Sequence, residues 1–498
     1  LDLHVRNYIN GQYTDGQGEQ TISKHSARDG SLLYQFPAGL ASEVDEAVLN
    51  ARQAFADGRW SGKSVHHRKA VLQKLVTLIE THREEFALYE CLDVGKPISN
   101  ALNEDLPATL ETLSGRIEGA DKVLSSCASD GGDFAYRHHK PIGVVGSIIG
   151  WNYPLWMAMI KMAPALLMGN SLVLKPSEFS SLSASRLAEL AVEAGVPPGI
   201  FNVVHGAGKT VGARLAHHPD VDLLSFTGSS ATGKQMMIAA GQSNMKRLML
   251  ECGGKSPFLV FDDAPDDLDF LADQVVQAMF RNQGEVCVAG SRLLIQAGIK
   301  QRLLPKIVER AAKIIPMDPL NPESTFGALI NEAQMNKVLG YIKSGVEEGA
   351  KLILGGKRVS VENTDDERAD SSGSKMQGFY IEPTIFDEVE SHHRIAQEEI
   401  FGPVLSVTTF TDEEEAIRLA NDSCYGLMVR AATTDLARSQ RLIRNINSGY
   451  VLIFGTAVLG EGDVDVGAEP QRQSGFGSET GLASFHSYTV STTGHLLT

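Results

Sequence analysis

At 498 residues the chain is too long to fold around one hydrophobic core, so two or three domains are expected. Hydrophobic residues make up 43% and charged residues 21%, the balance of an ordinary globular protein, and there is no run of about 18 uninterrupted apolar residues that could span a membrane. A net charge of −16 repels phosphate backbones and anionic lipid, which argues against nucleic-acid or membrane-surface binding.

In chain order, residues 1–7 carry no apolar signal core. Residues 7–13 predict a hairpin around Asn10-Gly11, a favoured tight-turn dipeptide. Apolar positions recur at helical spacing over 42–57, 64–94 and 98–126. Residues 134–149 read as strand, interrupted at Lys140-Pro141. Strand-like runs then alternate with helical ones. The strands are 143–149, 171–175, 200–204, 222–226 and 257–261, and the helices 155–168, 180–194, 209–217 and 230–241. Such alternation predicts a parallel sheet covered on both faces. A second alternating region covers about 265–450, with strands at 291–296, 351–354, 404–410 and 449–454. The polar stretch between Gly355 and Gly378 has little to bury and is expected to be an exposed loop. The tail from 467 is rich in Gly, Ser and Thr and ends in a strand-like 487–492.

Five widely spaced cysteines (91, 127, 252, 287 and 424), with no Cys-x-x-Cys, point to reduced thiols and a cytoplasmic setting. Cys287 stands out among them. It lies in a Gly-marked turn, Asn282-Gln283-Gly284-Glu285-Val286-Cys287, where free N–H groups would favour a thiolate. Glu251 follows the apolar Leu248-Met249-Leu250 and precedes Gly253-Gly254, which puts a carboxylate at a strand end. Partial burial there raises its pKa into the range useful for taking a proton from water. A thiol nucleophile and a carboxylate base are what making and hydrolysing a thioester requires. The paired histidines at 66–67, 138–139, 217–218 and 392–393 have no metal-ligand spacing, so no metal is assigned.

Gly206-Ala207-Gly208-Lys209-Thr210-Val211-Gly212 approaches a dinucleotide fingerprint but places its last glycine one residue too far. It also ends like a phosphate-binding loop, yet lacks the leading glycine because position 203 is Val. Phe226-Thr227-Gly228-Ser229 is the stronger signal. It follows a strand and opens a helix, whose N-terminal N–H groups suit a pyrophosphate.

With Trp151-Asn152-Tyr153-Pro154, Lys175-Pro176-Ser177-Glu178 and Gln397-Glu398-Glu399-Ile400-Phe401-Gly402-Pro403, these segments make the chain resemble the aldehyde dehydrogenase superfamily from about residue 7 to about residue 490. The resemblance implies an α/β fold of three parts. A Rossmann-like NAD-binding domain would cover 1–123 and 143–254, an α/β catalytic domain 255–463, and a small β oligomerisation extension 124–142 with 464–498. It implies that Cys287 attacks the aldehyde, that Asn152 and the Cys287 N–H hold the oxyanion, and that Glu251 activates the hydrolytic water. It assigns Trp151, Gly208, Gly228 and Ser229 to the dinucleotide, Lys175 and Glu178 to the adenosine ribose, and Glu399 and Phe401 to the nicotinamide riboside. A carboxylate at 178 would repel a 2′-phosphate, which favours NAD over NADP. The implied reaction is oxidation of a small-molecule aldehyde to its acid, in a homodimer or homotetramer. Two alternatives remain: a CoA-acylating semialdehyde dehydrogenase, whose relatives often lack the Glu251 equivalent, and a non-enzymatic structural protein that keeps the fold.

Some positions depart from the family. Cys252 stands where Leu is common, next to Glu251. Gly150 replaces a Pro before Trp151. Ile160 stands where betaine aldehyde enzymes tend to carry Trp, so a cage for a quaternary ammonium is incomplete. Ser478 and Val490 replace an Arg and a Glu used near the subunit contact in many relatives. The stretch after Gly449 is acidic, with Glu461, Asp463, Asp465 and Glu469. Two readings of it stand: ordinary loop solvation, or attraction of a cationic aldehyde such as an aminoaldehyde.

Overall fold

The computed structural model describes residues 1–123, 125–130, 133–362, 375–455 and 467–496. The N-terminal hairpin forms from Asn7–Ile9 and Gln12–Thr14. Asn10 and Gly11, with φ of 52° and 79°, supply the two positive-φ positions that a twist-matched two-residue turn needs.

Two sheets organise the described residues. The first has eight strands, in the order Gln12–Thr14, Asn7–Ile9, Phe201–Val203, Ser171–Lys175, Val144–Ile148, Leu223–Thr227, Arg247–Glu251 and Gly475–Phe476. Its five middle strands run parallel, and its margins are antiparallel. The middle strands are apolar on both faces because both are covered. Val145, Leu172 and Leu174 join one core with the helices Val65–Thr81, Leu106–Gly119, Pro154–Leu167 and Leu182–Ala194. Their neighbours Val144, Ile148 and Val173 join another with Ala41–Ala56 and Ser230–Gln242. Alternation along a strand sends successive side chains to opposite layers.

The second sheet has seven strands, in the order Lys351–Leu354, Thr384–Asp387, Val404–Phe410, Arg292–Gln296, Pro257–Val260, Met428–Ala432 and Tyr450–Phe454. Only its first pairing is antiparallel. The short link from Glu251 to Pro257 joins the two sheets directly. A third, antiparallel sheet pairs Cys127–Asp130, Asp133–Pro141 and Thr489–Leu496.

Several local expectations shift. The helical stretch begun at residue 98 contains a wide turn at Ala101–Asp105 and ends by Lys122. The tail first forms a helix, Ala483–Ser487, and its strand starts at Thr489. The stretch between Gly355 and Gly378 is strand at both ends, because Arg358–Glu362 pairs with Lys375–Ile381 and seats Val361 and Met376 in a core. Residues 363–374 lie outside the described residues, as do Glu461, Asp463 and Asp465 of the acidic stretch. The Gly475–Phe476 strand adds to the first sheet and caps Glu251 from the C-terminal side.

Candidate active site

Four adjacent parallel strands of the first sheet deliver their C-terminal ends to one edge, the usual ligand side of such a sheet. Lys175 ends the first. Trp151 and Asn152 follow the second, Gly228 and Ser229 the third, and Glu251 ends the fourth.

The thiol reaches this edge from the second sheet's side. The helix Leu268–Phe280 stops at Arg281, and Asn282, Gln283 and Gly284 then take φ of 48°, 57° and 72°. Two non-glycine residues in succession in the left-handed region store strain, which the surroundings must hold. Asn282 Nδ2 donates to the carbonyls of Asn152 and Glu285, each at 3.3 Å. Gln283 Oε1 accepts from Gly327 N at 2.9 Å. A side chain at 284 would meet the Gly402 carbonyl at 2.5 Å, so this glycine permits the close approach of the Phe401-Gly402 segment. Cys287 emerges from the turn half-buried. Burial, and then the carboxylates of Glu251 and Glu399, push its thiol up to about 12. The backbone N–H groups of Val288 and Cys287 itself pull the other way but are outweighed. The donors expected from the turn are therefore present, and the resting sulfur is still a thiol that must give up a proton to react.

Asn152 is buried, and its Nδ2 donates to the Glu285 carbonyl at 2.8 Å. An amide nitrogen carries two hydrogens, and this bond uses one. Glu251 is raised well above the ordinary carboxylate range, first by burial and then by Glu479, with Lys161 opposing. Lys161 Nζ lies 2.6 Å from Glu479 Oε1 and 2.7 Å from Ser225 Oγ, all three side chains buried. The sequence reading missed this network. A lysine within the apolar Met157–Leu167 stretch was its only outward sign. Cys252 is buried, its sulfur packed where a Cβ on Gly233 would sit, and its thiol is pushed up to about 12 by burial and Glu251. It packs as a small apolar residue behind the strand end.

The groups assigned to a dinucleotide lie along the same edge. Lys175 is buried, and its Nζ donates to the Pro176 carbonyl at 2.7 Å and to Glu178 Oε2 at 3.1 Å. Burial acts to raise Glu178, yet Lys175 and backbone donors including Gly208 N outweigh it and keep the carboxyl below its ordinary range. Gly208 N donates to Glu178 Oε1 at 3.3 Å. Ser229 caps the helix Ser230–Gln242 by accepting from Thr232 N at 3.2 Å, and Gly228 lies against the Phe226 ring. Nearer the thiol, Trp151 and Phe401 meet edge to face with centroids 5.1 Å apart. Phe401 itself is left-handed, with φ of 58°, and Gln334 Nε2 donates to its carbonyl at 2.5 Å. Glu399 accepts from Gly254 N at 2.9 Å and is raised by burial. A helix N-terminus, a carboxylate for ribose hydroxyls and an aromatic wall from the segment packed on Gly284 form a set that fits a dinucleotide. Among the described residues, no group of three or more His, Cys, Asp or Glu is placed to hold a metal ion. No helix among them is long and apolar enough to cross a membrane.

The sequence profile of the aldehyde dehydrogenase family matches residues 13–493. This chain belongs to that family. It is 42% identical over 478 residues to the aminoacetaldehyde dehydrogenase of Pseudomonas aeruginosa, covering 96% of this chain and 92% of that one. It is 40% identical over 490 residues to the NADP/NAD-dependent aldehyde dehydrogenase PuuC of Escherichia coli K12, covering 98% and 95%. Among solved structures, the P. syringae AldA indole-3-acetaldehyde dehydrogenase, a cysteine-to-alanine mutant in complex with NAD+ and IAA, matches with a TM-score of 0.93 and 44% identity, covering 100% of this chain and 97% of the other. The family fixes the chemistry as aldehyde oxidation and the fold as the α/β architecture read from the sequence.

Proposed function

We propose that this protein oxidises an aldehyde to its carboxylic acid with NAD, through a thioester on Cys287. The observation that carries the reading is convergence. The backbone at Gly254, three residues after Glu251, comes so close to Cys287 that a Cβ there would collide with the Cys287 carbonyl, and two residues before the thiol the Glu285 carbonyl anchors the Asn152 amide. The Cys287 thiol gives its proton to water, and the sulfur then bonds to the aldehyde carbon. The carbonyl oxygen becomes an alkoxide, met by the second Asn152 hydrogen and the Cys287 N–H. NAD, when bound, accepts the hydride from that carbon. Glu251 takes a proton from water, hydroxide adds to the thioester, and the C–S bond breaks to release the acid and the thiolate. Lys175, Glu178, Gly208, Gly228, Ser229, Trp151, Glu399 and Phe401 would hold the dinucleotide. The Glu178 carboxylate favours a free ribose hydroxyl, hence NAD over NADP.

The substrate is an aminoaldehyde or another aliphatic or aromatic aldehyde. The aminoacetaldehyde and indole-3-acetaldehyde relatives support that range. The three-part domain division expected from sequence is supported by the eight-, seven- and three-stranded sheets, with Gly475–Phe476 of the expected extension joining the first of them. A homodimer or homotetramer is supported by Phe134, Tyr136 and Leu496, exposed on the third sheet. Five free cysteines support a cytoplasmic setting. Cys287→Ala should abolish NADH formation. Glu251→Gln should leave one stoichiometric burst of NADH and suppress turnover. A Glu251→Gln enzyme with wild-type steady state would remove Glu251 from this role, and wild-type turnover that depends on added CoA would favour the CoA-acylating alternative.

A further inference from the structure

Asn152 divides two environments. On one side Trp151 packs on Phe401, beside Glu399, in the region assigned to the dinucleotide. On the other, Tyr153 leads away toward charged groups. Its ring lies 6.0 Å from Trp156 and under Lys96 Nζ at 4.1 Å. Burial, Asp105, Cys287 and Glu104 act to raise its hydroxyl, and Arg281 acts to lower it. Arg281 directly precedes Asn282, whose amide touches the Asn152 carbonyl. Tyr153 and Arg281 therefore flank one contact at the foot of the nucleophile turn.

Arg281 Nε lies 2.9 Å from Glu104 Oε2, and the two side chains remain 49% and 44% exposed. Asp105 is different. It is buried, 3.9 Å from Arg281 and already bonded to the buried Lys96. Two opposite charges are thus left open to solvent at the start of the turn that leads to Cys287, joined through Asp105 and Lys96 to the Tyr153 ring next to Asn152. A half-exposed ion pair adds little to folding, about 0–1 kcal/mol. A guanidinium retains donors beyond the one facing Glu104, and a carboxylate retains acceptor sites.

We propose that the Arg281–Glu104 pair reads the far end of the aldehyde and selects substrates carrying an ammonium and a carboxylate together. The substrate carboxylate exchanges onto Arg281 and the ammonium onto Glu104, so neither protein charge is left unpaired when water is displaced. An aldehyde with one charge satisfies one partner only, and a neutral aldehyde satisfies neither. This inference rests on the aldehyde-oxidising role of Cys287 and narrows its substrate class.

The test measures kcat/KM by NADH formation with four aldehydes of similar length: butanal, 4-oxobutanoate, 4-trimethylammoniobutanal and 2-amino-4-oxobutanoate. In the wild-type enzyme the zwitterion should exceed butanal by about tenfold, the scale of one well-made charged contact. Arg281→Leu should collapse the preference for the two carboxylate-bearing aldehydes over butanal. Glu104→Gln should collapse the preference for the two cations. Arg281→Lys keeps the charge without the fork and should keep part of the carboxylate preference, which separates recognition from loss of folding. A wild-type enzyme that does not favour the zwitterion, or variants that move all four aldehydes by a common factor, would overturn the proposal. Absence of NADH from every aldehyde in the wild-type protein would instead sink the aldehyde-oxidising role.

Discussion

Two ion pairs stand near Asn152 and Glu251, and they are built differently. Lys161 and Glu479 are sealed, with side-chain exposures of 1% and 5% and a 2.6 Å contact. Arg281 and Glu104 are open. Burial makes each charge of the first pair costly without its partner and makes its field felt at Glu251. Water screens the second pair, so it is poorly suited to tuning a neighbour and well suited to exchanging partners. In the proposed roles, the sealed pair would tune the base and the open pair would meet what arrives.

The largest effect expected from this contrast is Lys161→Met. It leaves Glu479 buried without its counter-charge, which costs about 3–5 kcal/mol in comparable pairs. Thermal unfolding should show a marked fall in Tm. Lys161→Met/Glu479→Leu should recover most of that loss, because removing both partners removes the unpaired charge. A single variant as stable as wild type would mean that the pair is not desolvated as the structure shows.

How much of this was legible in the sequence depends on the range of the interaction. The parallel sheets were readable because Val144–Ile148 and Ser171–Lys175 are apolar at every position but one or two, as strands covered on both faces must be. Cys287, Asn152 and Glu251 could be singled out as candidates because each sits in a short local signature. Lys161–Glu479 was not, because its partners lie 318 positions apart in the chain and neither sits in a motif. Arg281, just before the cysteine segment, carried no signal of its own, since its pairing depends on Glu104 from a distant helical turn. The turn donors at Cys287 were anticipated correctly, but the net effect on the thiol was not, because burial is a property of the whole site.

A smaller effect concerns pH. As the proposed base, Glu251 would act only when ionised, and its pKa is raised, so steady-state turnover should climb with pH beyond the ordinary carboxylate range. Lys161 opposes that rise. In Lys161→Met the limb should therefore move to still higher pH, while the first-turnover burst, which does not use the hydrolytic water, should move less. A pH profile of kcat alongside burst amplitude checks this. Equal movement of both would place the titrating group at the thiol rather than at Glu251.

The smallest effect belongs to the open pair and sharpens the contrast from the other side. Glu104→Gln should change stability by no more than about 1 kcal/mol, because water already solvates both partners. In urea, the unfolding midpoint should stay close to wild type with an unchanged slope. The same substitution in the sealed pair, Glu479→Gln, leaves a buried ammonium facing a neutral amide and should shift the midpoint several times further. If the two glutamine variants shifted it equally, the exposed pair would be holding the turn before Cys287 in place. Its half-exposed charges would then be structural, and the distinction between a pair that tunes the base and a pair that meets the substrate would fail at its weaker end.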